Sequence, residues 1–163
     1  MGPGNHRGGW VILLTILLAA ILGMAPLPGW LEMWRPEWMA LVVIYWVIAL
    51  PARVGLISAW CVGFFVDVLE GTLLGLNAIA LTLIAYAALT LYQRLRMFTP
   101  FQQCITVLML VGVQQLLIFW VLTATNQNTP PNLAFIFSAM SSALIWPLVF
   151  VLLRSWRRGL GVT

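Results

Sequence analysis

Residues 101–153 read FQQCITVLMLVGVQQLLIFWVLTATNQNTPPNLAFIFSAMSSALIWPLVFVLL, and between Arg96 and Arg154 not one charged side chain occurs. Two apolar runs, 101–123 and 133–153, flank a polar, proline-bearing segment at 126–132. At about 1.5 Å of helical rise per residue, each run reaches across the roughly 30 Å hydrocarbon layer of a bilayer. Lipid offers the backbone no water to bond to, so runs of this kind must be helical. The segment from Asn126 to Asn132 is too polar and too rich in helix-breaking proline to lie beside lipid.

The same reading carried toward the amino terminus finds four more apolar runs, at 10–27, 36–50, 54–69 and 72–92. The expectation is an all-α integral membrane protein, a six-transmembrane-helix bundle filling residues 10–153, with a short amino-terminal tail at 1–9 and a basic carboxy-terminal tail at 154–163. Composition agrees. The chain has 163 residues, of which 63% are hydrophobic and 7% charged, with a mean hydropathy of +1.02. That is far more apolar surface than a soluble fold leaves in water, and six spans leave no length for a soluble domain. The uncharged stretch from Trp10 to Leu31 is longer than a signal-peptide core, so it reads as a retained anchor helix. The run at 36–50 is short: fifteen residues rise only about 23 Å, so the bilayer must thin there or protein must cover its ends. Pro36 is expected in its first helical turn, and the tight turn Pro51-Ala52-Arg53 suggests that the second and third spans form an antiparallel hairpin.

Charge fixes the orientation. With the amino terminus in the cytoplasm, Arg7, Arg53, Arg94, Arg96, Arg154, Arg157 and Arg158 all fall on the inner side. The outer segments collect Glu32, Glu37, Asp67 and Glu70, every carboxylate in the chain, with Arg35 the one base among them. Insertion leaves basic residues inside, so both termini are expected in the cytoplasm. The net charge of +4 sits in short loops beside membrane ends, where membrane lipids are the nearer partner; no nucleic acid is expected.

The third span carries Gly55, Ala59, Gly63 and Asp67 at four-residue spacing, which places three small residues and a carboxylate on one helix stripe. Gly71 and Gly75 continue the spacing. Small residues let backbones approach closely, so the third and fourth spans are expected to pack through these glycines near their outer ends. Asp67 faces either the bundle, as a structural or partner-binding group, or the solvated helix end; proton or ion handling is the remaining alternative. Asn77 and Gln115 are polar groups in apolar helices that need partners. In the outer loop, tryptophans recur at Trp30, Trp34 and Trp38 around Arg35 and Glu37, a pattern of either an interfacial aromatic belt or a partner-docking surface. Ser138, Ser141 and Ser142 read as a small polar patch for close packing. Catalytic chemistry is not visible: His6 is the one histidine, and no metal-ligand cluster or phosphate loop occurs, so no enzyme, cofactor or metal is expected. A serine-histidine intramembrane protease lacks its histidine, and an aspartyl type lacks its second intramembrane Asp.

The runs Arg35-Pro36-Glu37-Trp38, Tyr45 to Val54 and Gly63 to Gly75 together resemble the bacterial rod shape-determining MreD family in its proteobacterial form. The resemblance covers essentially the whole chain, with the basic loop after the fourth span and the pairs Phe119-Trp120 and Trp146-Pro147 also fitting. It implies a non-enzymatic inner-membrane scaffold of the cell-elongation machinery. The implied partners are MreC, the actin-like MreB, and the peptidoglycan polymerase RodA with its partner transpeptidase. It also implies a fold like the substrate-binding components of energy-coupling-factor transporters. That likeness keeps one alternative open: a small-solute or lipid carrier with a cavity bounded by groups such as Asp67, Asn77 and Gln115.

The expected topology has a direct test. A periplasm-active phosphatase fused after Thr163 should be silent, and one inserted at Asn128 should be active; the reverse pattern would overturn the orientation.

Overall fold

The computed structural model describes residues 6–129 and 133–161. Of the outer turn expected at 126–132, Pro130, Pro131 and Asn132 lie outside the described residues, as do the side chains of His6 and Arg7. The described chain is helical and without strands: α1 His6–Met24, α2 Gly29–Glu32, α3 Trp38–Ala49, α4 Leu56–Glu70, α5 Leu76–Met97, α6 Pro100–Ala124 and α7 Ala134–Gly159. Three of these, α5, α6 and α7, are long and apolar enough to cross a membrane; Gly8–Met24 and α3 are shorter apolar helices.

The centre of the molecule is α3. Every residue from Met39 to Ala49 is buried, and Ala40, Leu41, Ile44 and Val47 have no exposed surface at all. A helix that is apolar on every face needs neighbours on every face. It finds them in α5, α1 and α7. The buried indole of Trp46 donates to Thr15 Oγ1 at 2.8 Å, tying α3 to α1. Trp146 of α7 donates to Gln103 Oε1 at 3.3 Å, and Gln103 Nε2 donates to the Leu95 carbonyl at 2.8 Å, joining α7, α6 and α5 in one buried chain of hydrogen bonds. α6 starts at a capping box: Thr99 Oγ1 accepts from the Gln102 amide, the Thr99 amide donates to Gln102 Oε1, and Pro100 follows at the first helical position.

Two expectations about α3 are corrected. Its helix starts at Trp38 rather than at Pro36, because Arg35-Pro36-Glu37 is held out of the helix by bonds to α7 described below, and the Trp38 amide closes a tight turn on the Pro36 carbonyl at 3.0 Å. It also forms no hairpin with α4 after the turn at 51–53; the largest helix contact in the molecule is instead α4 on α5. Gly63 is the reason. A Cβ added there would press into the backbone of Asn77 and Ala78, with the Ala78 amide nitrogen only 2.6 Å away. Ala59, one turn earlier, is likewise fully buried.

Gly55, Gly71 and Gly75 have a different place. A Cβ would meet nothing within 4 Å at any of them, so they do not form the close contact that their spacing suggests. Gly55 precedes α4 as its cap, Gly71 ends α4 at φ 64°, and Gly75 opens α5 at φ 97°. The last two conformations are ones that L side chains rarely adopt. The segment expected to start a helix at Thr72 is therefore a glycine-bounded loop, and α5 begins at Leu76. The two cysteines are free, with Cys61 exposed and Cys104 half-buried.

Gly63→Leu should prevent α4 and α5 from closing and lower the yield of folded, monodisperse protein in detergent several-fold. Gly55→Ala, with open space around it, should leave yield unchanged; equal behaviour of the two would place Gly63 outside the contact.

Candidate functional site

The amino-terminal end of α3 opens into a cavity of about 480 Å³. Arg35, Glu37, Glu70, Asn77, Gln114 and Gln115 supply its polar wall, and Trp38 stands beside them. Residues near the ends of α1, α4 and α6 and at the start of α5 supply its apolar wall.

Each polar residue is delivered by a specific local arrangement. Ser138 Oγ donates to the Arg35 carbonyl at 2.8 Å, and the Glu37 amide donates to Ser142 Oγ at 2.9 Å. Both serine hydroxyls come from one face of α7, and that of Ser142 also donates to the Ser138 carbonyl at 2.7 Å. The serine patch thus clamps the non-helical segment before α3. The guanidinium of Arg35 donates through Nη2 to the Ala25 carbonyl at 2.7 Å, fastening the chain just beyond α1. Glu37 accepts a bond from the side-chain amide of Gln115, which links the start of α3 to α6 across 78 positions of sequence. Asn77 Nδ2 approaches Glu70 Oε2 at 3.4 Å.

Among the described residues two buried polar atoms have no hydrogen-bond partner: Arg35 Nε and Gln114 Oε1. One is a donor and the other an acceptor, and both residues line the cavity. Leaving such groups unpaired costs free energy on the order of 1–3 kcal/mol each.

Asp67 does not line the cavity. It has no exposed surface and is bonded to the loop and helix that follow it. Its Oδ1 accepts from Thr72 Oγ1 at 2.9 Å and from the Asn77 amide at 3.0 Å; its Oδ2 accepts from the Gly75 amide at 2.9 Å and the Ala78 amide at 3.3 Å. The first amides of a helix have no partner within it, and the dipole there favours negative charge. A carboxylate at the end of α4 therefore caps α5, and Gly75 admits the turn that brings it into reach.

The candidate residues accordingly separate into two groups. Arg35, Glu37, Trp38, Asn77 and Gln115 meet at the cavity, and Asp67 stands behind it as a helix cap. Gln114, Glu70, Ser138 and Ser142 belong to the arrangement as well. Trp34 rests on Phe137 with ring centroids 4.9 Å apart, while Trp30 is exposed. Among the described residues no group of three or more His, Cys, Asp or Glu side chains is placed to hold a metal ion.

Comparison with known proteins bears on what this arrangement serves. The family profile described as rod shape-determining protein MreD matches residues 5–156. The chain belongs to the MreD family. A relative from Haemophilus influenzae (strain ATCC 51907 / DSM 11121 / KW20 / Rd), named rod shape-determining protein MreD, is 34% identical over 149 residues, covering 91% of each chain. No solved structure matches. Family membership gives the chain a role in rod-shape determination. Its three long apolar helices fit a membrane protein.

Substitution of Asp67 should grade with the number of acceptors lost. Asp67→Asn keeps one oxygen and turns an amide nitrogen toward two donors, while Asp67→Leu removes all four bonds. With charge-assisted bonds worth roughly 1.5–3 kcal/mol each, the detergent melting temperature should fall in the order parent, asparagine, leucine. Equal melting of all three would remove Asp67 as the cap of α5.

Proposed function

We propose that this chain is a non-enzymatic inner-membrane scaffold of the cell-elongation machinery, and that its outer cavity receives a membrane-adjacent segment of MreC. The observation that carries the reading is the pair of unpartnered buried atoms, Arg35 Nε and Gln114 Oε1. A polypeptide backbone presents a carbonyl for the first and an amide N–H for the second. The cavity lies at the end of α3 where Glu37, Asp67 and Glu70 gather, the side that the charge distribution assigns to the periplasm. In this reading α1, α3, α4, α5, α6 and α7 are six membrane crossings, with both termini cytoplasmic. MreB, RodA and its partner transpeptidase are engaged directly or through MreC, and peptidoglycan synthesis is positioned in that way.

The carrier reading draws support from the same cavity, since about 480 Å³ lies within the range that holds small molecules. Proton coupling through Asp67 draws none, because that carboxylate is turned away from the cavity and committed to the start of α5.

Gln114→Leu separates the two. It replaces an unpaired buried acceptor with an apolar group of similar size, so folding should be unharmed while a backbone donor loses its partner. Tagged parent and variant, purified from native membranes, should differ in retained MreC by roughly tenfold, as expected for a loss of about 1.4 kcal/mol. Equal MreC recovery with a folded variant would overturn the cavity as its docking site. A small solute or lipid retained in place of MreC would favour the carrier.

A further inference from the structure

A second cavity of about 310 Å³ lies at the opposite, carboxy-terminal end of α3. Arg96 from α5 and Arg154 and Arg157 from α7 line it, together with Tyr45, Ile48 and Phe150. None of the chain's four carboxylates, Glu32, Glu37, Asp67 and Glu70, is among its lining residues.

Part of this charge is explained by the helix end above it. The Ala49 carbonyl, at the negative end of the α3 dipole, accepts from Arg96 Nη2 at 3.1 Å and from Arg157 Nη1 at 3.5 Å. One carbonyl does not satisfy three guanidinium groups, each of which carries about five N–H donors. Arg154 makes no hydrogen bond among the described residues. Tyr45 is 2% exposed, lines the cavity, and its hydroxyl has no partner among the described residues either. Converging cations beside an unpartnered hydroxyl, with no acid present, are the chemistry of a phosphate site.

The source of the phosphate follows from depth. α3 has 12 residues and so rises only about 18 Å, well short of the roughly 30 Å hydrocarbon layer. A helix that short ends below the headgroup level, and the space at its end is lined both by arginines and by the apolar side chains of Ile48 and Phe150. We propose that this cavity binds the phosphodiester of an anionic phospholipid, with Arg96, Arg154, Arg157 and the Tyr45 hydroxyl as donors and the apolar wall beside the first carbons of the acyl chains. The inference rests on the reading of the helices as membrane crossings.

Native mass spectrometry of the purified full chain in detergent tests it without depending on orientation or on the number of crossings. Phosphatidylglycerol should be retained at lower lipid concentration than phosphatidylethanolamine. The paired change Arg154→Gln with Arg157→Gln should weaken phosphatidylglycerol retention roughly tenfold, whereas Arg94→Gln, outside the cavity, should not. The paired change to lysine keeps the charge and should keep most of the retention, which separates lost binding from lost folding. Equal retention of both lipids by the parent, or parent-like retention by the glutamine pair, overturns the site. Displacement of phosphatidylglycerol by inorganic phosphate at equal concentration would show a soluble phosphate site, and an acidic cytoplasmic peptide retained in place of lipid would show a protein-docking site; either overturns the lipid assignment.

Discussion

A helix with no exposed face, and shorter than a hydrocarbon layer is thick, sets the terms for everything around it. Because α3 is apolar throughout, α1, α5 and α7 must wrap it. Because it has only 12 residues, its two ends stop short, and a cavity forms at each. Opposite chemistries fill the two spaces. Carboxylates and amides collect at one end, while arginines collect at the other. The charge separation along the sequence becomes, in the fold, two chemically distinct chambers, one at each end of α3.

The walls of the cavity at the amino-terminal end of α3 are well determined. The non-helical segment Arg35–Glu37 is pinned by two serines of α7, by the Ala25 carbonyl and by Gln115. The opposite wall is set by α4 and α5, which Gly63 allows to touch backbone to backbone and which Asp67 locks at their junction. Polar side chains are thus held in fixed positions by supporting bonds, the condition for presenting a specific pattern to a partner rather than an adaptable surface.

Much of this was legible in the sequence for physical reasons. Long uncharged runs such as 133–153 must be helical in lipid, and the residues from Arg35 to Gly75 carry the family. What stayed hidden was pairing at long range and the conformation of individual glycines. Gly63, Gly71 and Gly75 share a four-residue spacing, yet the first serves a close contact and the others serve turns with positive φ; spacing alone does not distinguish these uses. The role of Asp67 was open because three of its four partners are backbone amides, which every residue has. Ser138 and Ser142 read as packing residues because the segment they hold lies about a hundred positions away. The cavity at the carboxy-terminal end of α3 was concealed by the very pattern that carries its arginines, since a charge bias between loops sorts them without saying that they converge.

The central position of α3 also has a meaning in time. Residues 38–49 leave the ribosome early, but two of the three helices that enclose them, α5 and α7, come later in the chain, α7 last of all. Until then α1 is the one enclosing helix already made, and α3 has a short body and a strongly polar segment at its entrance. The order of synthesis therefore differs from the order of consolidation. The enclosure of α3 is complete only once α7 has been made, with Ser138 and Ser142 to hold a segment made a hundred residues before.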